Sequence, residues 1–253
     1  MAETGNGGRI LRVCALYPDL MNIYADRGNI LLLQRRCEWR GIGFTYTAAG
    51  PGDGLDPASH DFLYMGGGQD RDQRIVATDL LKTKRDAVAA ATGDGAVLLA
   101  VCGGYQLLGH SYQLGDERIE GLGLADLETV REAGPRLIGN VEIEVDLGAG
   151  PRRLAGFENH GGRTYLGSGA TPLGRVIRGF GNNGKDGHEG VHEPNVIGTY
   201  LHGPLLPKNA WLADRLIQLA LARREGAEPE LEPLDDTLEA AAHESAHEAA
   251  MRG

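Results

Sequence analysis

A chain of 253 residues, of which 42% are hydrophobic, can bury one sizeable core or at most two small ones. Its net charge of −10 is concentrated in residues 225–253, which carry nine acids and one base, so the rest is nearly neutral and a nucleic-acid partner is not expected. Because no apolar run reaches the ~18 residues of a membrane span, we expect no membrane insertion and a cytoplasmic protein.

Strand and helix patterns alternate through the first hundred residues. Four short apolar runs predict strands, at residues 12–17, 44–46, 61–65 and 96–101. Helical spacing predicts helices at residues 29–39 and 74–91. This alternation is typical of an α/β fold, with a mostly parallel central sheet flanked by helices.

The second half of the chain has a different hydrophobic pattern. Shorter, partly alternating strands are predicted at residues 127–130, 137–145 and 153–157, and we expect them to be antiparallel additions. A buried strand at residues 196–201 and an amphipathic helix at 211–223 then complete the domain. We therefore expect one domain at residues 1–224, followed at 225–253 by an acidic linker and a helix-forming tail that is solvated or docks a partner.

Cys102 carries the strongest chemical signal in the sequence. The segment AVCGGYQ places it between a buried strand and a helix, with Ala100 and Gly104 two residues away on either side. Small residues at these two positions are typical of a nucleophile elbow, a strained turn in which larger side chains would collide with the neighbouring backbone. The helix that begins at Gly103 points its first amides at the sulfur, where they favour the thiolate and can hold an oxyanion.

The other two cysteines are predicted to be packing residues. Cys14 lies inside an apolar strand and Cys37 inside a helix. Three unevenly spaced cysteines without a C-x-x-C pair predict neither a disulfide framework nor a structural zinc.

His202 is the predicted partner of the nucleophile. A thiol nucleophile requires a histidine within reach that takes up the thiol proton and protonates the leaving group. His202 directly follows the strand predicted at residues 196–201, so it is expected at the same sheet edge as Cys102.

Several segments together resemble the class I glutamine amidotransferases, in their cobyric-acid-synthase-like branch. They are VCGGYQLLG and GTYLHGPLLPKN, with YPDLMNIYADRGNI, YMGGGQD, RLIGN, FENHGGRTYLG and GFGNNGKDG. Within that branch the chain is most similar to the GatD family, the glutaminase subunits of lipid II isoglutaminyl synthase. The combination is specific although no single segment is, and it covers residues 10–220.

The resemblance implies roles for individual residues. The nucleophile would form a thioester with L-glutamine, with His202 as its base. Gly67 or Gly68 together with Gly103 would supply the oxyanion amides, and Arg136 of RLIGN would hold the α-carboxylate of glutamine. A guanidinium fork matches a carboxylate bidentately, which agrees with that last role.

The sequence departs from the wider class at the usual third catalytic acid. Many class I members carry a glutamate shortly after the histidine, whereas this chain has His202-Gly203-Pro204. The orienting group is therefore open: another acid, a backbone carbonyl or a partner protein. Asp19 and Asp26 are candidates, although a structural or loop-capping role is favoured for both.

A partner enzyme is expected because the chain lacks a nucleotide-binding loop. GNNGKDG has neither the spacing nor the Ser/Thr of G-x-x-x-x-G-K-[ST], so no cofactor is expected here. The resemblance implies a heterodimer with a MurT-like Mur ligase subunit. That subunit would use ATP and magnesium to activate the D-glutamate of the lipid II stem peptide and would receive ammonia.

Two alternatives remain at this stage. The acceptor could be a cobyrinate-type or other small molecule, with the glutaminase chemistry unchanged. A metalloprotease is the remote alternative, because H-E-x-x-H occurs at residues 188–192 and 243–247. A glycine and the nearby Pro194 would break a helix at the first copy, and the second lies in the tail without a third ligand, so no metal site is expected.

Overall fold

The computed structural model describes residues 8–22 and 27–252 and confirms the predicted α/β class. Three sheets are built from fourteen strands in the described part of the chain: β1 (Ile10–Leu16), β2 (Gly43–Ala49), β3 (Phe62–Met65), β4 (Val97–Val101), β5 (Ser111–Leu114), β6 (Glu117–Glu120), β7 (Leu127–Arg131), β8 (Leu137–Val145), β9 (Arg152–His160), β10 (Gly162–Leu166), β11 (Gly174–Arg178), β12 (His188–Glu189), β13 (Val191–Glu193) and β14 (Val196–Thr199).

The helices flank these sheets and include one wider turn. They are α1 (Arg27–Glu38), α2 (Asp70–Asp79), α3 (Arg85–Gly93), α4 (Gly103–Gln106), α5 (Leu205–Lys208), α6 (Ala210–Glu225) and α7 (Thr237–Arg252). A π-helical turn, Leu80–Lys84, joins α2 to α3. None of the helices in the described ranges has both the length and the apolar character needed to cross a bilayer.

The central sheet has six strands in the order β13-β14-β4-β3-β1-β2. Every neighbouring pair in it is parallel except β13 with β14. Strands β3 and β4 are buried at every residue, which explains why both are continuous apolar runs rather than alternating ones. Because the strands are parallel, the residues that follow β3, β4 and β14 meet at one edge of the sheet.

Two four-stranded sheets lie beyond this core, in the orders β10-β7-β5-β6 and β12-β11-β8-β9. Their pairs are antiparallel apart from β5 with β7. They are the antiparallel additions predicted from the second half of the sequence. Residues of both sheets lie beside Cys102, which follows β4 at the carboxyl edge of the central sheet.

The C-terminal segment is attached to the body by buried charges. Arg36 of α1 is fully buried and binds Asp214 of α6 and Asp236, which immediately precedes α7. Further along, the Nδ1 atom of His247 lies 2.7 Å from Oε2 of the fully buried Glu142 on β8. Helix α7 therefore covers part of the β8–β9 sheet.

Candidate active site

Cys102 occupies a strained turn between β4 and α4. Its backbone has φ 51° and ψ −105°, and Tyr17 is the one other non-glycine residue with positive φ in the part of the chain that the structure describes. Side chains rarely adopt such a conformation, which costs on the order of 1–3 kcal/mol. The Cys102 amide donates a hydrogen bond of 2.8 Å to the carbonyl oxygen of Thr199. The backbone at Cys102 thus has the strained turn predicted for a nucleophile elbow.

The two glycines after Cys102 are required by close packing against the segment that follows β3. A Cβ at Gly104 would lie 2.6 Å from the carbonyl oxygen of Met65 and 2.9 Å from that of Gly66. The Gly104 amide also donates a hydrogen bond of 3.1 Å to Gly66. Since backbone atoms cannot move aside as a side chain does, this turn accepts no larger residue.

Gly68 and Gly103 lie next to each other at the turn that carries Cys102. A Cβ at Gly103 would overlap Nε2 of Gln73 and lie 3.1 Å from the Gly68 nitrogen. Gly68 is itself confined, because a Cβ there would overlap the sulfur of Met21. Gly67 is buried beside it. Of the predicted oxyanion glycines, Gly68 and Gly103 therefore lie together at the Cys102 turn, and Gly67 precedes Gly68 directly in the chain.

A cavity of about 210 Å³ opens above Cys102, and we call it the Cys102 cavity. Its size suits a small amino acid. The residues around it are mostly polar, and they include Gly68, Cys102, Gln106, Arg131, Arg136 and His160. No carboxylate belongs to the part of this lining that the structure describes.

Arg136 lines this cavity and is held in place by one residue of β9. Its Nε donates to the side-chain oxygen of Asn159 and its Nη2 to the Asn159 carbonyl oxygen, both at 2.8 Å. Two of its nitrogens are thus fixed, and Nη1 points toward Gly161. A guanidinium anchored in this way is suited to bind a carboxylate with its remaining donors.

His202 follows β14, next to the strand that carries Cys102. It is fully buried, and its backbone forms a two-way bridge with Phe157 through hydrogen bonds of 2.8 and 3.2 Å. Thr199 pairs in register with Val101, so the histidine and the cysteine leave adjacent parallel strands at the same edge. His202 is not among the described residues that line the cavity.

Glu189 was not assigned a role in this site from the sequence. It is fully buried, and one carboxylate oxygen accepts a hydrogen bond of 2.7 Å from the Tyr200 amide, while both accept from the Thr199 hydroxyl. Burial, together with a smaller effect of the nearby Glu158, raises the pKa of Glu189 to about 8, although the hydrogen bonds and the charge of His202 oppose the rise. Glu189 therefore clamps the backbone that leads to His202.

His160 is a second residue that the sequence analysis missed. It lines the Cys102 cavity, and its ring stacks on Tyr200 with centroids 3.6 Å apart. A carbonyl oxygen can only accept, so Nδ1 donates the 2.9 Å hydrogen bond to Gly162 and Nε2 faces Glu158 at 3.7 Å. Its only sequence signal is the place of the histidine immediately before a Gly-Gly pair.

Asp19, one candidate for the third catalytic acid, is not among the described residues that line the Cys102 cavity. Asp19 is exposed on the loop after β1, and Asp26 lies outside the described residues.

The remaining cysteines lie in packed environments, as expected. Burial raises the pKa of the Cys14 thiol and raises that of Cys37 to about 12, while the Arg40 charge opposes the Cys37 shift. Both side chains are buried in the core. Neither environment favours a thiolate.

The H-E-x-x-H segments do not form a protease-like site. His188 and Glu189 lie in β12 and His192 in β13, so the first copy is extended rather than helical. The second lies on α7, where Nδ1 of His243 bonds the Lys208 carbonyl oxygen. Across residues 8–22 and 27–252, no group of three or more His, Cys, Asp or Glu side chains is arranged to hold a metal.

Comparison with known proteins agrees with this geometry. Residues 12–210 match the model of the CobB/CobQ-like glutamine amidotransferase domain. The subunit GatD of the glutamine-hydrolysing lipid II isoglutaminyl synthase of Streptococcus pneumoniae is 40% identical over 94% of this chain and 90% of its own length. The GatD subunit of Staphylococcus aureus is 41% identical over 81% of this chain and 82% of its own length.

More distant proteins share part of the sequence or the fold alone. A probable cobyric acid synthase of Methanothermobacter thermautotrophicus is 36% identical over 56% of this chain and 30% of its own length. The structure of PurLQS from Thermotoga maritima superposes with a TM-score of 0.58 at 19% identity, covering 83% of this chain and 97% of that one. The chain therefore belongs to the CobB/CobQ-like glutamine amidotransferase family and, within it, groups with the GatD subunits.

Proposed function

We propose that this chain is the glutaminase subunit of a lipid II isoglutaminyl synthase. It hydrolyses L-glutamine through a thioester on Cys102 and delivers the ammonia to a MurT-like Mur ligase subunit. That partner uses ATP and magnesium to convert the D-glutamate of the lipid II stem peptide to D-isoglutamine. Such a reaction belongs to peptidoglycan synthesis, and we infer that this subunit acts in the cytoplasm, where ATP and glutamine are available.

The observation that carries the proposal is the turn at Cys102. The positive φ of Cys102, the glycines packed against the segment after β3, and the closeness of Gly68 and Gly103 are features that a merely buried thiol does not require. The turn also opens into a cavity lined by Arg136. These features support the proposal, because the reaction needs a nucleophile, amide donors and a carboxylate-binding cation around one small space.

Acylation begins when His202 takes up the proton of the Cys102 thiol and the sulfur attacks the side-chain amide carbon of glutamine. A C–S bond forms, and the carbonyl oxygen takes up negative charge that the amides of Gly68 or Gly67 and Gly103 stabilise. The C–N bond then breaks as the nitrogen receives a proton from His202, which releases ammonia and leaves a γ-glutamyl thioester.

Deacylation restores the thiol and releases glutamate. With His202 as base, water attacks the thioester carbon, and the C–S bond breaks. The proton taken from water returns to the sulfur. Arg136 holds the α-carboxylate throughout, so that the reacting carbon stays above Cys102.

The acceptor is inferred from the pattern of relatives. The two GatD subunits align with 94% and 81% of this chain, whereas the cobyric acid synthase of M. thermautotrophicus aligns with 56%. A cobyrinate-type or other small-molecule acceptor is the alternative, and it leaves the chemistry at Cys102 unchanged. The longer alignment with the GatD subunits favours a cell-wall acceptor over a cobyrinate.

The chemistry at Cys102 is tested by covalent labelling. A diazoketone analogue of glutamine should attach to Cys102 alone, identified by mass spectrometry of the digested chain. Excess glutamine should slow the labelling, whereas the Cys102→Ala variant should take up no label. Labelling of Cys14 or Cys37 at the same rate would contradict the assignment.

The acceptor is tested by reconstitution with a MurT-like ligase. The two subunits, ATP, magnesium, lipid II and glutamine should yield amidated lipid II. With Cys102→Ala the glutamine-dependent reaction should stop, and free ammonium should restore it. Restoration by ammonium separates loss of the ammonia supply from loss of the ligase. Amidation by this chain alone with ATP would contradict the division of labour.

A further inference from the structure

A second guanidinium reaches the glycine that lies beside Arg136. A Cβ at Gly161 would overlap Nη1 of Arg131, lie 2.9 Å from its Cζ and lie 3.4 Å from Nη1 of Arg136. Both guanidinium groups therefore pack against the same bare glycine. Both residues also line the Cys102 cavity.

The position of Arg131 follows from strand pairing. Arg131 is the last residue of β7 and lies directly opposite Gly162 of β10. Its amide donates a hydrogen bond of 3.1 Å to the side-chain oxygen of Gln113. With glycines at 161 and 162, no facing side chain blocks the guanidinium from the cavity.

A buried arginine keeps this wall of the cavity rigid. Arg163 donates from Nη1 to the carbonyl oxygens of Gly161 at 3.0 Å and Gly162 at 3.3 Å, and from Nη2 to that of Pro135 at 2.7 Å. It thereby joins the glycine pair to the residue just before Arg136. This connection holds the glycine pair, which lies opposite Arg131, to the backbone that leads into Arg136.

The donors of the Arg131 side chain are available for a ligand. Within residues 8–22 and 27–252 its guanidinium has no hydrogen bond or ion pair, whereas Arg118 in the same sheet is bonded to Ser111 and Glu128. The acid next to it in sequence, Glu132, is engaged by Lys185 and Tyr165. Two cations thus face a cavity whose described lining holds no carboxylate.

We propose that Arg131 is the second arm of a carboxylate clamp and binds the α-carboxylate of glutamine together with Arg136. The inference rests on the proposed glutaminase function and adds a specificity residue to it. Arg136, anchored by Asn159, is the fixed arm, and Arg131 is the arm that closes on the carboxylate. Such a clamp selects free glutamine over glutamine whose α-carboxylate is blocked.

The test compares Arg131→Ala with wild type in the complete complex, using glutamine and its neutral α-carboxamide as substrates. Loss of charge-assisted hydrogen bonds should raise KM for glutamine about ten- to a hundredfold, with kcat changed far less. The carboxamide has no anion to bind, so its already low kcat/KM should not fall further. Arg131→Lys should recover part of the lost affinity, because it keeps the charge but not the fork.

Arg118→Ala is the matched control, since it removes a cation from the same sheet outside the cavity. An unchanged KM for glutamine in Arg131→Ala would overturn the inference, as would equal losses on glutamine and the carboxamide, which indicate a structural role. Either result leaves the glutaminase function standing if wild type hydrolyses glutamine and Cys102→Ala does not. A wild-type complex that releases no glutamate would instead refute the proposed function.

Discussion

The backbone amide of Cys102 is hydrogen-bonded at 2.8 Å to the carbonyl oxygen of Thr199. This bond extends the parallel pairing of β4 and β14 by one residue beyond the last pair in register, Val101 with Thr199. It fixes the start of the turn that carries Cys102 to the strand that leads into His202. The relative placement of the two residues therefore depends on this pairing in the central sheet, together with the backbone bridge between His202 and Phe157.

Two replacements of Cys102 distinguish the loss of the nucleophile from the relief of backbone strain. Cys102→Ala and Cys102→Gly should both abolish glutamine hydrolysis, because neither has a nucleophile. Glycine tolerates φ 51°, so Cys102→Gly should be more stable than Cys102→Ala by about 1–3 kcal/mol. Urea denaturation of the two variants measures that difference. Equal stabilities would show that the turn relaxes when the sulfur is absent.

The glycine after the turn is predicted to be intolerant of a single methyl group. In Gly104→Ala the new Cβ would meet the carbonyl oxygens of Met65 and Gly66 at 2.6 and 2.9 Å. The elbow must then shift away from β3, so we expect a loss of about 1–3 kcal/mol of stability and at least tenfold lower activity. Gly54→Ala is the control, because nothing lies within 4 Å of a Cβ there. Wild-type activity in Gly104→Ala would exclude tight packing at the elbow.

Much of this site could be predicted from the sequence because its signals are local. The all-buried pattern of β4, the small residues around Cys102 and the strand before His202 each occupy a few consecutive positions. Their convergence follows from the parallel order of the sheet. For that reason the sequence alone predicts the turn at Cys102 and a histidine at the same edge of the sheet.

Other parts depend on pairings between distant segments. Strand β6 is exposed at three of its four positions and β12 has only two residues, so neither has an apolar pattern to detect. The sequence singles out Glu189 only as part of an H-E-x-x-H segment, because it does not reveal that the glutamate is buried against Tyr200. Arg131 reaches the cavity through its pairing with Gly162, 31 residues further along the chain.

Replacement of Arg136 and replacement of His202 should change different kinetic parameters. Arg136→Ala should raise KM for glutamine about ten- to a hundredfold, because a carboxylate partner is lost. His202→Ala should lower kcat by about a hundredfold or more with a smaller change in KM, since proton transfer is lost. Steady-state kinetics of both variants distinguish the two effects. A KM defect in His202→Ala without loss of kcat would argue against its role as base.

The buried Glu189 should make stability fall as pH rises toward 8. Burial raises its pKa to about 8 from an ordinary value of 4.5, so between these values the folded chain holds a proton that the unfolded chain has released. Ionisation of the buried carboxyl is then unfavourable. This group contributes a slope of up to about −1.4 kcal/mol per pH unit in that window.

Glu189→Gln should remove this slope, because the amide does not titrate. Unfolding free energies of wild type and variant, measured from pH 5 to about 8, should converge or cross as pH rises. Glu230→Gln, an exposed glutamate in the acidic linker, is the matched control and should follow wild type. Parallel curves for Glu189→Gln and wild type would mean that Glu189 is ionised in the folded chain throughout this range.

Removal of the C-terminal segment should affect stability more than chemistry. Without residues 226–253, Arg36 keeps Asp214 but loses Asp236, and the fully buried Glu142 loses His247. Weakening two buried charge interactions should lower stability by about 1–3 kcal/mol. None of the deleted residues lines the Cys102 cavity as the structure describes it, so glutamine hydrolysis at a temperature well below unfolding should be largely unchanged.

The point variant Asp236→Asn, in the full-length chain, tests the cause of that loss. It removes one charge beside Arg36 and keeps helix α7, so it should reproduce only part of the instability of the truncated chain. If the truncated chain is folded by circular dichroism but no longer hydrolyses glutamine, helix α7 must act on the cavity through the β8–β9 sheet. Strand β9 carries Asn159, the residue that anchors Arg136. If both variants unfold at the same denaturant concentration, the Asp236 ion pair accounts for the whole contribution of the tail, and the contact between His247 and Glu142 adds nothing to stability.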